Sequence, residues 1–316
     1  MPFQVSPGVV VTERDLTTVV PNVSTSIGAF AGAFQWGPVL QRVRIETENE
    51  LVQTFGEPTA DTAEYFWSAA NYLAYSNNLL VVRNTEANAI NAVVGDDNAG
   101  TAKKIDNIDD YDGTSDFTDQ LFIAKYPGAR GSSLKAIAVD SAGWASFSGL
   151  ANSARTPDQK LLFANFDRAP GTSTDVAASG GSNDEMHVLV IDENGLFSGV
   201  AGEILEAHAF VSKASDAKKI DGSSNYVKNV LRNESLYIWL GQVLKITEST
   251  TDSGSEVPAG SLKAGHTFQL INAAAAADQI IGGSLSGGLD GATIAEDTKQ
   301  IAYNMFADAE TVDISL

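Results

Sequence analysis

Short apolar runs, broken by Gly, Pro and paired Asn, set the rhythm of this chain. Residues 27–34 alternate small and apolar side chains and predict a first core strand, and Val43-Arg44-Ile45 predicts a second. Thr47-Glu48-Asn49-Glu50 has the form of a capping box, in which the threonine hydroxyl and a glutamate three residues on satisfy amides at a helix start. Leu51, Val52 and Phe55 give that helix an apolar face, Gly56 stands where a C-cap glycine belongs, and Pro58 prevents continuation. In the longer helix that follows, Asp61 can cap the start, and Ala63, Phe66, Trp67, Ala70, Leu73 and Ala74 recur at i, i+3, i+4, i+7 spacing. Phe66, Trp67, Ala70 and Leu73 are therefore the expected core-packing residues. Asn77-Asn78 ends the helix, and residues 79–83 read as a buried strand. Strand, helix, strand in this order favours a β-α-β layer.

From Asn84 to Asp119 the pattern weakens into a polar stretch with few apolar anchors, expected to be a boundary with an acidic surface excursion at 96–119. A second globular pattern begins at Leu121, with strands expected at 121–124, 134–139, 186–191 and 236–240 and a short helix at 226–231. Asn194-Gly195 favours a tight hairpin into Leu196-Phe197. Gly- and Ser-rich residues 169–183 and 248–260 read as loops. Gly282, Gly283, Gly287 and Gly288 belong to a glycine cluster expected to act as a hinge. Thr293 and Glu296 repeat the capping box ahead of an apolar stripe of Ile301, Met305 and Phe306, and residues 311–316 read as a strand that stops at the last residue. The expected fold class is mixed, α/β with α+β, in more than one domain.

The N-terminus differs from both patterns. Ser6-Pro7-Gly8 punctuates the chain, and Val9, Val10, Val11, Thr12 and Glu13, ahead of Arg14 and Asp15, make a short β-branched run that reads as strand with no hairpin partner beside it. The next run, residues 19–24, carries Pro21, which is excluded from central ladder positions. Such a terminal strand pairs either within its own subunit or on the sheet edge of another molecule.

Bulk properties narrow the field. The 316 residues, 43% hydrophobic and 8% aromatic, suffice for a packed core of one large or two smaller domains. Forty acidic against twenty basic residues give a net charge of −20, which repels nucleic-acid phosphates and disfavours a nucleic-acid partner. There is no cysteine, so disulfides, zinc–thiolate sites and thiol nucleophiles are excluded within this sequence. No stretch approaches the roughly 20 apolar residues of a bilayer span, so no membrane partner is expected.

Candidate chemistry is thin. His187, His208 and His266 stand far apart, none with a second histidine at helical spacing. Asp106, Asp109, Asp110, Asp112 and Asp116 are the densest carboxylates; Asp110, Asp112 and Gly113 fit a calcium-loop register, but Ile108 holds the first ligand position and a closing glutamate is missing. The glycine clusters lack the Lys-Ser or Lys-Thr of a phosphate loop, and Leu285 holds the nucleophile position in the run 283–287. No catalytic, cofactor or metal site is expected, and the reading is of a structural protein, not an enzyme. The competing readings are a receptor-binding module that uses the middle region, and a hydrolase with an unrecognised carboxylate pair.

Several blocks carry a family resemblance. Ser6-Pro7-Gly8-Val9, the run from Ala29 to Pro38, Leu51-Val52-Gln53-Thr54-Phe55-Gly56-Glu57-Pro58, the run from Tyr65 to Leu73, and Leu80-Val81-Val82-Arg83 resemble the contractile tail sheath proteins of T4-like myoviruses in order and spacing. The resemblance implies a virion protein, assembled in the host cytoplasm, that polymerises as stacked hexameric rings around a tail tube and contracts without consuming nucleotide. The implied partners are other copies of the chain, the tube protein, and baseplate and tail terminator proteins. Residues 8–15 would be a strand donated to a neighbouring subunit, with residues 1–22 as the linker arm. A sheath core domain would comprise residues 23–87 and 284–316, interrupted by a protruding domain at 88–283. The family's core continues well beyond the point matching residue 316, so a fragment of a longer chain is expected.

Overall fold

The computed structural model describes residues 27–95, 100–115, 117, 120–241, 246–247, 269–270, 280–291 and 296–307. The expected donor strand at 8–15, the loop at 248–260, Thr293 of the second capping box and the terminal strand at 311–316 lie outside the described residues. The fold is a mixed α/β one.

The first layer is built by β1 (Gly28–Ala33), β2 (Arg42–Ile45), α1 (Glu48–Phe55), α2 (Ala63–Leu73) and β3 (Leu79–Asn84). β3 lies in the middle of the sheet, parallel to β1 and antiparallel to β2. Parallel pairing needs a crossover, and α1 and α2 supply it. The Thr47 hydroxyl accepts from the Glu50 amide at the start of α1, while the Glu50 carboxylate accepts from Glu46 N–H, one residue earlier than an ideal box. At the other end Gly56 takes φ +84, a left-handed backbone that suits glycine. The two faces of the sheet pack separately. Phe30, Phe34 and Val81 meet α1 and α2, and Ala31 and Val82 meet Ala302, Met305 and Phe306 at the far end of the chain.

Three of the four expected packing residues of α2 lie on the core: Phe66 and Ala70 are buried and Leu73 partly so. Trp67 is a correction, being 52% exposed. Ala69 is fully buried and draws the packed face toward itself. With 3.6 residues per turn, Trp67 then lies roughly 100° from the centre of the Phe66, Ala69 and Ala70 stripe. Its ring rests edge-on against Phe66 at 5.4 Å.

The remaining chain forms β4 (Val93–Val94), α3 (Ile108–Gly113), β5 (Phe122–Ala124), β6 (Leu134–Asp140), α4 (Ser141–Ser148), α5 (Pro157–Asn165) and α6 (Thr174–Ala178). There follow β7 (Glu185–Asp192), β8 (Glu203–Ser212), α7 (Val227–Glu234), β9 (Ile238–Leu240), β10 (Ile246–Thr247), β11 (Gln269–Leu270), β12 (Ile280–Ser284) and α8 (Glu296–Asn304). Three further sheets result, in the orders β4-β5-β9, β12-β6-β7-β8 and β10-β11, all antiparallel. β6 and β7 are buried along nearly their whole length, as near-continuous apolar runs require. Among the described residues no helix is long and apolar enough to cross a membrane.

Four expectations change here. The described part of the acidic excursion is packed, not merely solvated: Ile105 and Tyr111 are buried, and the Tyr111 ring stacks on Trp239 at 4.4 Å with its hydroxyl donating to Leu240 O. Few anchors suffice because one is an aromatic ring with a satisfied polar tip. Asn194-Gly195 is no two-residue turn; residues 193–202 separate β7 from β8. The buried Asp192 carboxylate gathers the amides of Leu196, Phe197 and Ser198 and the Ser133 hydroxyl. Residues 169–183 include the short helix α6, capped by Ser173. Gly282 and Gly283 are paired strand residues opposite Ile137 and Ala136.

Candidate functional site at the Arg83 junction

A run of buried apolar residues that ends in arginine poses a problem of charge. Leu79, Val81 and Val82 hold β3 in the core, and Arg83, next along the strand, is 1% exposed. A buried guanidinium persists only where its donors are met. Arg83 Nε donates to Phe34 O at 2.8 Å and Nη1 to Gly37 O at 2.8 Å. Nη2 donates to Gln35 O at 3.1 Å and to Pro127 O at 2.8 Å. The planar fork thus ties the bend after β1 to a turn that lies 44 residues beyond Arg83 in the sequence. Burial lowers the Arg83 pKa to about 10, against the opposing pull of Asp290 and Asp106, so it stays charged at neutral pH.

The bend that offers three of these carbonyls has its own constraints. Gly37 has φ +100, and a Cβ there would stand 2.7 Å from the Phe55 ring. Trp36, 4% exposed, meets Tyr126 and Phe197 edge-to-face at 5.4 and 4.9 Å. The Pro127 turn is held from its other side by Lys125, whose ammonium donates to Ser235 O and lies 4.1 Å over the Trp239 ring. Burial pulls the Lys125 pKa down to about 8.

Two more passages of chain close the junction. Ile90 bridges Leu289 and Val93 bridges Ser286, both antiparallel, and Gly128 N–H donates to Ile90 O. Asp290 accepts from Ala129 N–H at 3.0 Å. A Cβ on Gly288 would stand 2.3 Å from Gly128 O, so glycine is needed there for close approach. Gly287, at φ +80, has open space around it. The glycines expected to form a hinge thus divide into two in a strand, one in close packing and one in a left-handed turn.

The other candidates are engaged locally. The Asn107 side chain accepts from the Asp109 and Asp110 amides, Asp110 accepts from Asp106 N–H, and Asp112 pairs with Arg232. Asp116 and His266 lie outside the described residues. His187 is fully buried and stacked on Phe166 at 4.1 Å, with Nε2 on Arg168 O and Nδ1 accepting from Phe210 N–H. Burial depresses its pKa to about 4. His208 contacts Glu206 at 3.1 Å. Among the described residues no group of three or more His, Asp or Glu could hold a metal ion.

Residues 25–83, a stretch that closes on Arg83, match the family model of the tail sheath protein Gp18 domain III N-terminal region. Similar curated proteins carry the same description. The tail sheath protein of Enterobacteria phage T4 is 51% identical over 78 residues, 25% of this chain and 12% of that protein. Those of Vibrio phage KVP40 and Salmonella phage ViI are 37% identical over 82 residues and 32% identical over 203. The relatives of this chain are the contractile tail sheath proteins of T4-like phages. The ViI match takes in 64% of this chain and 28% of the relative, and the KVP40 match 26% and 12%. The chain therefore spans well under half the length of these sheath proteins. Sheath tail proteins of solved structure from Listeria innocua and Desulfitobacterium hafniense align over 92% and 98% of this chain, and 39% and 44% of theirs, with TM-scores of 0.41 and 0.39 at 13% and 14% identity. These relatives support a structural role in the phage tail.

The junction itself was not singled out by sequence reasoning, which took Arg83 as the end of a strand. The available signal was its position. A permanently charged residue following four consecutive apolar ones must meet partners that the strand itself does not provide.

Proposed function

We propose that the chain is a structural subunit of a contractile tail sheath, polymerising as stacked hexameric rings around a tail tube and shortening to drive the tube through the host envelope. The observation that carries this reading is the match of residues 25–83 to the tail sheath family model, beside 51% identity over 78 residues to the phage T4 sheath protein. In it, residues 23–87 and 284–316 belong to a sheath core domain and residues 88–283 to a protruding domain. Residues 8–15 are a strand lent to a neighbouring copy. The tube, baseplate and tail terminator proteins are the further partners, and the virion is the final location.

The Arg83 junction gives this reading a mechanical element. A sheath that converts packing energy into movement needs subunits that move as bodies instead of deforming internally. One buried guanidinium makes three hydrogen bonds within the family-matching layer and a fourth to Pro127 O, and so stiffens the connection between that layer and the sheets that follow.

Electron microscopy of the purified chain, beside a version extended to any natural C-terminus, alone and with the tube protein, tests the proposal. Ordered helical tubes or stacked rings are expected from the extended version and monomers from residues 1–316, and removal of residues 1–22 from the extended version should abolish the tubes while leaving the circular dichroism spectrum unchanged. Monodisperse particles under all conditions would overturn the assembly reading. Unchanged tubes after the deletion would remove the arm from it.

A further inference from the structure

The last residue of β6 and the first residue past β8 form an ion pair shielded from water. Lys213 is 4% exposed and Asp140 1%, and Lys213 Nζ stands 3.1 Å from Asp140 Oδ2. The two residues lie on either side of β7: Asp140 pairs with Met186, and Glu185, one place earlier, pairs with Ser212. Strands two places apart in a sheet are about 10 Å from each other, a span that a lysine and an aspartate side chain close between them. Asp140 Oδ1 accepts from Gly143 N–H, in the first turn of α4, at 3.0 Å. The backbone of Lys213 is fixed by its own N–H, which donates to Asp184 O at 2.8 Å. The Asp184 carboxylate, fully buried, accepts from Ser212 Oγ and from Ser173 N–H.

These surroundings disfavour both charges of the pair. Burial pushes the Lys213 pKa down, and the carboxylates of Asp140 and Asp184 oppose that push. Passing a proton from Nζ to Oδ2 removes both charges and leaves an amine against a carboxylic acid. Those are the two reactants of amide formation, held in contact. Reactants held in this way reach effective molarities on the order of 10⁵–10⁸ M, which offsets the dilution that disfavours the same condensation between free side chains.

We infer that Lys213 and Asp140 condense into an internal isopeptide bond, which cross-links β6 to the end of β8. In this step the Nζ lone pair attacks Asp140 Cγ. Negative charge gathers on Oδ1, where the Gly143 amide already donates. The nitrogen becomes positive as its bond to carbon forms, and the nearby Asp184 carboxylate favours that charge. The Cγ–Oδ2 bond then breaks and Oδ2 leaves as water. Both protons of that water come from the original ammonium, whose third proton stays on the amide nitrogen. The step involves no redox change and no co-reactant. It needs only the folded chain, so the inference stands whether or not the chain polymerises. Its consequence is mechanical. Among the described residues β8 is an edge strand paired with β7 alone, and the amide would carry a load on it past β7 to β6.

Intact mass spectrometry under denaturing conditions, on chain first shown to be folded by circular dichroism, tests the cross-link. A mass one water below that of the sequence is expected. So is a branched tryptic peptide joining residues 136–155 to 169–218, since trypsin does not cut at an acylated lysine. Lys213→Met, which keeps an apolar stem of similar length, should have the full sequence mass, and the wild-type peptide map decides by itself should that variant not fold. Asp112-Gly113, Asp221-Gly222 and Asp290-Gly291 can each lose a water as a cyclic imide. A deficit that maps to one of those sites, or that Lys213→Met retains, overturns the inference. A wild-type chain of full sequence mass, cut by trypsin after Lys213, overturns it as well and leaves a buried ion pair only.

Discussion

Replacing Arg83 by methionine keeps the length and apolar stem of the side chain but deletes the guanidinium. Four carbonyls, of Phe34, Gln35, Gly37 and Pro127, then lose their donor, and three of the four bonds lost are buried. Hydrogen bonds to a charged donor contribute about 1.5–3 kcal/mol each, but a methionine also escapes the desolvation cost of burying the charge. The net loss is therefore less than the sum of four bonds, and about 3–5 kcal/mol is the expected scale for breaking a buried charged network from one side. For a chain of this size each kcal/mol lowers Tm by roughly 2–4 °C, so a fall on the order of 10 °C is expected. Scanning calorimetry on Arg83→Met, with Arg83→Lys beside it, measures this. Lysine has three donors on a single nitrogen and cannot span the same carbonyls, so it should recover only a minor part of the loss. Hydrogen exchange should place the change at the junction, with faster exchange at the Leu40 and Gly128 amides, which donate to Arg83 O and Ile90 O. A Tm within about 1 °C of wild type would show that the four bonds merely replace hydration, and would refute the stiffening role.

Two further perturbations probe separate parts of the molecule. His187 has a folded-state pKa lowered to about 4 by burial, whereas an unfolded histidine titrates near its usual 6.5. As pH falls below about 6.5 the unfolded chain binds this proton first, so stability declines down to about pH 4, by about 3 kcal/mol in all. His187→Phe, less stable at neutral pH because Arg168 O and Phe210 N–H lose their partner, should show a flatter profile in that window in urea titrations at stepped pH; equal slopes would exclude His187 as the cause. In the glycine cluster, Gly288→Ala should cost about 1–3 kcal/mol because its Cβ meets Gly128 O at 2.3 Å, and Gly287→Ala about 1 kcal/mol from backbone conformation alone. Urea midpoints in the reverse order would refute the close-packing role of Gly288.

The first layer was legible because its signals are local. Thr47 and Glu50, Gly56, and the apolar positions of α2 each act within a few residues, and the structure places β1, α1, α2 and β3 close to the expected boundaries. Trp67 shows the limit of periodicity: a stripe of apolar residues can be read from sequence, but the small Ala69 that decides its centre carries little hydrophobic weight. The long-range features left weaker traces. Tyr111 meets Trp239 across 128 positions, so a polar stretch with one well-placed ring looked like an excursion. Asp192 organises residues 193–202 by collecting amides, which the Asn-Gly pair concealed. Arg83 could be flagged as a buried charge in need of partners, but carbonyls have no sequence signature, so their identity could not be read.

The bridges of Ile90 to Leu289 and of Val93 to Ser286 bring two distant points of the gene product side by side. For the sheet of β1, β2 and β3, everything encoded between those points behaves as one long connection with neighbouring ends. The entropy of closing such a connection grows only logarithmically, so doubling its length costs about 0.6 kcal/mol. Insertions, deletions or exchanges in that coding region would therefore leave the flanking layer little disturbed, provided the paired ends are kept together with the Pro127 carbonyl and the Tyr126 and Phe197 rings that meet Arg83 and Trp36. Divergence can be fast inside the cassette and slow outside it. The 51% identity to the phage T4 protein, confined to a 78-residue stretch, has the form that such an arrangement produces.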